Sequence, residues 1–595
     1  MKASFNRENI YLLVILSASF FFRFCCLSHF SLSNDELSAI HRLDFQTFGD
    51  LINYGVRPDG HPALAQLLMW LWTSVFGLSP AAVRFPFVFI SSAAPLFAYL
   101  FMKNISGKAP ALFLAAAIAL LPFPLLYGRL ARPYGIGLTF VLYTAWLWTE
   151  MLLKTHAQRK RNAVAIALAI GWALCLYTHY FAALTATVIG LTGLFFMNKK
   201  NRKQYLLSAL LAVLLFLPHL SLTFHQISLG GVGQWLAKPQ AEFVWKHIKL
   251  IFGNSLIIFI LLLLSPKDFS NTKDKYFIKI RLALLLWFAL PLIIGYLYSK
   301  YVNAVLQNSV LIFSMPFLLA FTLSFNYKHL GKFNKIALII FTVTTAFSLI
   351  YPENFYKKQH FGEFARTPIV LNQIQEKYGR EKILNIVDIN HRSYLDYYLT
   401  RHKINIEYLN GKFDTDSSLI NLKKIIDGFS KPYVTFSDMQ NTSSFIAKSI
   451  IMSKFGKLKS KKTFGERTSI FLFSKDSACC KTDNLPIYDK EYCCDTLLGV
   501  NNKTASELFV HYLIKTASEQ TKLNLVFDIV DKNGKSVHWQ SLPLRYLINN
   551  QGFVNVVIMK KIKPRKNYDK IKIYIWNREH ENFGCKKIGT NCQAF

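Results

Sequence analysis

Residues 335–351 read KIALIIFTVTTAFSLIY, and this is the last run in the 595-residue chain long and apolar enough to cross a bilayer as a helix. Runs of 16 to 23 apolar residues recur before it, and none follows Tyr351. The chain therefore divides there into a membrane half and a soluble half. Working back from this run gives about eleven spans, near 9–30, 83–102, 109–126, 133–153, 162–178, 180–197, 204–218, 246–264, 282–299, 309–325 and 335–351. One further apolar run, 61–77, is short, and counting it would invert every later loop. With Trp70 and Trp72 it reads as a helix lying at the interface.

Charge sets the expected orientation. The net charge is +35, split +20 over residues 1–351 and +15 over 352–595. A basic balance of this size can mean nucleic acid. Here the basic residues of the first half sit in short loops such as Arg159-Lys160-Arg161 and Lys199 to Lys203, and such loops orient spans and do not read phosphate backbones. One alternate set of connections holds about twenty Lys and Arg and the other about seven, which predicts a cytoplasmic N-terminus. Eleven spans then put residues 352–595 outside, in the periplasm of a cell with an inner membrane. The first span starts basic, runs past signal-peptide length and lacks a small-residue cleavage site, so it is expected to stay as an anchor.

The soluble half divides in two. Residues 352–478 alternate strand-like stretches (Ile383–Val387, Tyr433–Ser437) with helical ones near 416–428 and 441–455, which predicts an α/β domain. Residues 479–595 carry strands only, at Leu508–Ile514, Leu523–Val530, Phe553–Ile558 and Ile571–Trp576, with a turn at Asp531-Lys532-Asn533-Gly534. That pattern predicts a β-sandwich. Six cysteines lie in or beside it, Cys479, Cys480, Cys493, Cys494, Cys585 and Cys592, and read as disulfide partners of open connectivity. Trp539 and Trp576 are read as core residues of a structural sandwich in preference to a carbohydrate platform.

Only ten acidic residues precede residue 352, and five of them, Asp35, Glu36, Asp44, Asp50 and Asp59, lie in the loop 31–61. A carboxylate at the mouth of a helical bundle can act as a general base or hold a cation. The spacing of Ser33 and Glu36 also fits a capping box, and acids in a first turn suit the helix dipole. The two roles are compatible. Asp44 and Asp50 read as solvated-face residues. Arg57-Pro58-Asp59-Gly60-His61-Pro62 is either a stiff helix entry or part of a site. Arg129 and Arg132 flank a span boundary, where they either snorkel to headgroups or grip a phosphate. Tyr134 follows them, and Tyr177-Thr178-His179-Tyr180 marks the next boundary on that side. Arg23, inside the first span, is costly in lipid and should face the bundle or the interface.

Taken in order, Arg23-Phe24, Ser31 to Glu36, His61 to Leu64, Phe76 to Ser79, Val83 to Pro86, Ala131 to Tyr134 and Leu176 to Tyr180 resemble the polytopic glycosyltransferases of the GT-C fold. The nearest branch is that of the bacterial relatives of protein O-mannosyltransferases and lipid A aminoarabinose transferases. The resemblance implies a polytopic α-helical membrane domain that moves a sugar from a polyprenyl-phosphate carrier to a lipid, protein or glycan acceptor on the outer face, with inversion. It also implies Asp35 as the catalytic carboxylate with Glu36 beside it. Arg129, Arg132 and His61 become candidates for the leaving phosphate, and Asp59, His179, Tyr134 and Tyr180 for substrate contacts. No cofactor is certain, a divalent cation is an open expectation, and nucleic acid is not an expected partner. Two departures stand out: relatives carry an acidic residue where this chain has Arg129-Leu130, and an arginine near Asn308-Ser309. A lipid-linked sugar transporter or flippase is the rival reading, and a membrane-anchored assembly protein the second. The gathering of acids in one loop, away from the midplane, favours the enzyme.

Overall fold

The computed structural model describes residues 7–230, 236–267, 274–325, 328–351, 354–439, 445–465, 468–475, 485–499, 506–516, 520–548, 553–562 and 568–594. They form two compact units, Met1–Phe30 with Asn34–Lys358, and Ser31–Ser33 with Gln359–Phe595.

The first unit is helical, and every expected span coincides with apolar helix. Among the described residues, six helices are long and apolar enough to cross a membrane: Pro80–Ser106, Pro133–Leu153, Gln158–Thr178, Arg202–Ser228, Lys275–Tyr301 and Lys332–Ile350. Two further spans are bent pairs, Lys108–Leu120 with Pro122–Gly128 at 57° and Glu242–Ile251 with Leu256–Leu263 at 73°, which brings the count to eight when each pair is one span. The expected spans at 9–30, 180–197 and 309–325 are shorter helices, ending at Phe24, covering Tyr180–Gly193, and covering Met315–Leu323 after a 3₁₀ turn. Helix Leu64–Phe76 occupies the run read as interfacial.

The bend at Leu121-Pro122 explains the buried charge in the first helix. Pro122 has no N–H to give Ile118 four residues back. Arg23 replaces it: Nη2 donates to Ile118 O at 2.9 Å and Nη1 to Ala119 O at 3.1 Å and Ser19 Oγ at 2.7 Å. The arginine is wholly buried and faces the bundle. Nearby, a Cβ on Gly135 would stand 2.8 Å from Gly128 Cα and 3.0 Å from Ser91 Cβ. Glycine there lets helix Pro133–Leu153 approach the preceding turn closely, which sets the position of Arg132 and Tyr134.

The second unit holds the α/β and sandwich layers. Strands β1 (Ile383–Asp388), β2 (Leu409–Gly411), β3 (Tyr433–Asp438), β4 (Lys457–Phe464) and β5 (Thr468–Ser474) form a sheet of order β2-β1-β3-β5-β4, parallel among the first three and antiparallel beyond. Helices Asp416–Gly428 and Phe445–Lys454 match the predicted ones, residues 441–444 lying outside the described residues. The sandwich comprises β6 (Ile487–Tyr488), β7 (Tyr492–Gly499), β8 (Ser506–Thr516), β9 (Asn524–Val530), β10 (Ser536–Pro543), β11 (Phe553–Ile562), β12 (Lys570–Trp576) and β13 (Phe583–Ala594). Its two sheets are β10-β9-β12-β7 and β11-β8-β13-β6. The predicted turn closes with Gly534 N donating to Asp531 O at 2.9 Å.

The tryptophans are not core residues. Ile571, Ile573 and Ile575 face inward on β12, so period-two alternation turns Trp576 outward, where it meets the 48% exposed Trp539 edge to face at 6.2 Å. Cys493 and Cys585 are buried in the sandwich. Cys479 and Cys480 lie outside the described residues, as do the side chains of Cys494 and Cys592, and the expected disulfides fall with them. Residues Ser31–Ser33 pack with this unit: Ser31 Oγ accepts from Phe364 N at 2.9 Å, and Leu32 N donates to Tyr398 Oη at 2.8 Å.

Candidate active site

Asp35 and Glu36 open helix Asn34–His41 and meet different fates. Asp35 is exposed. Glu36 is fully buried, with Arg84 Nε and Nη2 donating to its two oxygens at 2.8 Å each and Ala131 N donating to Oε1 at 3.0 Å. Arg84 also donates to Leu27 O and Phe30 O, at 2.9 and 3.0 Å. One buried fork thus pins both the entry to the loop and the helix that bears Asp35. The geometry gives Glu36 to bracing, and leaves its neighbour facing outward.

A second group gathers around Arg132. His61 Nδ1 lies 3.2 Å from Asp59 Oδ1 and 3.3 Å from Arg132 Nη2. Asp59 Oδ2 accepts from Arg42 Nη2 at 2.8 Å and Oδ1 from Gly60 N at 2.9 Å. Burial alone would raise the Asp59 carboxyl, but His61, Arg132 and Arg42 outweigh it and hold it well below the usual carboxylate range. Burial likewise works against the charge on Arg132, and the carboxylates of Asp59 and Asp35 more than offset it. Arg132 is 6% exposed, and its Nε is buried without a hydrogen-bond partner among the described residues. That leaves an oriented cation with donor capacity unspent, within the field of Asp35.

His179 caps helix Tyr180–Gly193, its Nδ1 accepting from Phe181 N at 3.0 Å, so any proton on the neutral ring sits on Nε2. Its ring packs edge to face on His61 at 5.1 Å and near Tyr134 at 5.9 Å. Burial, joined by the positive fields of His61 and Arg132, pushes its pKa well below the ordinary histidine value. It is a neutral donor beside the Arg132 cation. Tyr134 feels the charges of both Asp35 and Arg132.

Other candidates are scaffold. Tyr180 Oη donates to Gln226 Oε1 at 2.6 Å, and Gln226 Nε2 donates to Val56 O and His61 O at 2.8 and 2.9 Å, which clamps the end of the loop. Arg129 donates to Phe22 O at 2.7 Å and lies over the Tyr356 ring at 5.0 Å. Its guanidinium is spent on the end of the first helix, apart from the Arg132 group. Arg84, Gln226 and His219, which accepts from Ala63 N at 3.1 Å, were not singled out as site residues by sequence reasoning. Their signal was a polar side chain inside an apolar helix. Among the described residues, no group of three or more His, Cys, Asp or Glu side chains is placed to hold a metal ion.

The fold and these residues define a multi-pass membrane protein with a polar, cation-bearing site at the ends of its helices. Residues 60–222 are similar to the family model described as dolichyl-phosphate-mannose-protein mannosyltransferase. The matched stretch holds His61, Arg84, Arg132, Tyr134 and His179, while Asp35 and Glu36 precede it. No curated protein matches the chain. Among solved structures, apo ArnT from Cupriavidus metallidurans is 10% identical with a TM-score of 0.40, over 78% of this chain and 98% of that one. The apo oligosaccharyltransferase of Archaeoglobus fulgidus is 10% identical with a TM-score of 0.47, over 100% and 97%. The S. cerevisiae Pmt1-Pmt2 O-mannosyltransferase complex is 15% identical with a TM-score of 0.29, over 38% and 33%.

Proposed function

We propose that this protein transfers a sugar from a polyprenyl-phosphate carrier to a hydroxyl or amine acceptor on the extracytoplasmic face of the membrane, with Asp35 as general base. The observation that carries this reading is the pairing of an exposed Asp35, on a helix fixed by Glu36 and Arg84, with the buried cation of Arg132 and its partner His61. Asp35 takes the proton of the acceptor nucleophile, which attacks the anomeric carbon from the side opposite the phosphate. The new glycosidic bond forms as the bond to the phosphate oxygen breaks, which inverts the centre. The lipid phosphate leaves with the electron pair, and Arg132, His61 and the Nε2 hydrogen of His179 are the groups suited to receive its charge. Asp59 holds His61 in place. The acceptor is a glycolipid, an exported protein or a surface polysaccharide.

The test is transfer in membranes that carry the wild-type or the Asp35→Asn protein, with glycolipids and glycoproteins compared by mass spectrometry against a deletion strain. We expect one sugar mass to disappear on deletion and turnover to fall about 100-fold or more in Asp35→Asn, in the range of a lost general base. Unchanged transfer by a well-folded Asp35→Asn protein rules out this mechanism.

A further inference from the structure

We propose that the outer face of sheet β10-β9-β12-β7 is a binding site for a glycan chain, whose sugar rings stack on Trp539 and Trp576. The site goes beyond the transferase reading and stands or falls separately from it. It is built by strand register. Trp539 on β10 pairs with Asp528 on β9, and Trp576 on β12 pairs with Asn524 on β9 and with Tyr492 on β7. Asp528 and Asn524 are four residues apart on one strand and so share a face, the one opposite the buried Phe527, Ile573 and Ile575. The rings meet on that face in two pairs, Trp539 with Trp576 at 6.2 Å and Tyr492 with Tyr574 at 5.6 Å. Trp539 is 48% exposed and Tyr492 is 55% exposed. A cluster of large rings left open to water on one sheet face marks a surface that takes a partner.

The polar groups among the rings decide what that partner is. Trp576 Nε1 donates to Glu491 Oε1 at 3.3 Å, which fixes the plane of the indole. Asp528, the cross-strand partner of Trp539, is half-exposed and accepts from Ser536 Oγ at 2.5 Å through Oδ1. A carboxylate has about four acceptor sites, so Asp528 keeps capacity for further donors. A sugar has the matching pattern, with C–H bonds on its ring faces and hydroxyls around its rim. The C–H faces suit the electron-rich face of an indole, and the hydroxyls can donate to a carboxylate. The two indole planes stand at 80°, so one flat ring cannot cover both, whereas neighbouring units of a twisted chain can. An acid beside each tryptophan disfavours an anionic membrane surface, which draws basic segments.

The experiment measures binding of polysaccharide, released by mild acid from wild-type cell envelopes, to the purified full-length protein in nanodiscs. Trp539→Ala and Trp576→Ala should each raise the Kd about tenfold or more, as expected for the loss of an aromatic anchor. Trp539→Phe, which keeps a ring, should recover part of the affinity, and Asp528→Ala should weaken binding less than either tryptophan loss. Trp539 is exposed enough that its truncation should leave the melting temperature near the wild-type value, which separates lost binding from lost folding. Polysaccharide that fails to bind the wild-type protein, or that binds both alanine variants with wild-type affinity, overturns the inference. It is also overturned if what the two variants lose is binding to vesicles of phosphatidylethanolamine and phosphatidylglycerol, or self-association in sedimentation, because the face then belongs to a membrane or to a second copy of the chain. Loss or survival of transfer in Asp35→Asn decides only the transferase reading, since this face contains no residue of that site.

Discussion

Asp35 and Glu36 are adjacent acids with opposite surroundings, and Asp59 shows a third. Exposure leaves Asp35 available to a substrate, bidentate pairing buries Glu36, and His61, Arg132 and Arg42 hold Asp59 ionised. The Asp59 environment has a consequence for stability. A carboxyl whose folded-state pKa is depressed contributes stability above its unfolded value, about 3.9, and loses it as pH falls through that value toward the folded one. The melting temperature of the wild-type protein should therefore drop more steeply from about pH 5 to about pH 3 than that of Asp59→Asn. Parallel acid limbs for the two proteins would show that Asp59 gains nothing from His61, Arg132 and Arg42. Arg129 and Arg132 make the same point for cations: three residues apart, one donates to the backbone of the first helix and the other keeps an unpartnered Nε beside the site.

At the scale of elements, the helix that presents Asp35 depends on a buried ion pair contributed by helix Pro80–Ser92. Removing one partner of such a pair leaves an uncompensated charge, at a cost of about 3–5 kcal/mol. Glu36→Gln and Arg84→Met should each lower the melting temperature markedly and abolish transfer. The double variant Glu36→Gln/Arg84→Met should be less destabilised than the two losses summed, since neither charge is then left alone. Additive losses in the double variant would mean that the two side chains act independently. The bend at Pro122 is a further case of an element defined by a partner, since Arg23 supplies Ile118 O with the hydrogen bond that the proline removes.

For the whole molecule, loop charge predicts that the N-terminus is cytoplasmic and that residues 352–595 lie on the opposite face. A phosphatase reporter fused after Phe595 should be active in intact cells, and a single cysteine at an exposed position such as Lys572 should react with an impermeant maleimide. Labelling only after lysis would reverse the orientation and move the chemistry to the cytoplasmic side. The reporter also bears on the number of crossings, because an odd number is required to place the two ends on opposite faces.

Much of the architecture was legible from local pattern. Apolar length marked each helical region of the membrane half, and period-two alternation located β1, β3, β8, β9, β11 and β12, because hydropathy and pleat are properties of consecutive residues. The other strands escaped that reading; in β10 and β13, for example, serine, lysine and glycine interrupt the alternation and cross-strand pairing holds them. Trp576 falls outside the core because the isoleucines alternating with it in β12 take the inward face, and which face of a strand meets the core is set by packing. In the site, sequence order brought out Asp35, His61, Arg132 and His179. What it determined was the presence of acids and cations near one side of a helical bundle. The tertiary structure alone decided that Glu36 pairs with Arg84 and that Arg129 donates to the end of the first helix, because each depends on a partner 48 or 107 residues away. Such distances carry no local signature, and only packing brings the partners together.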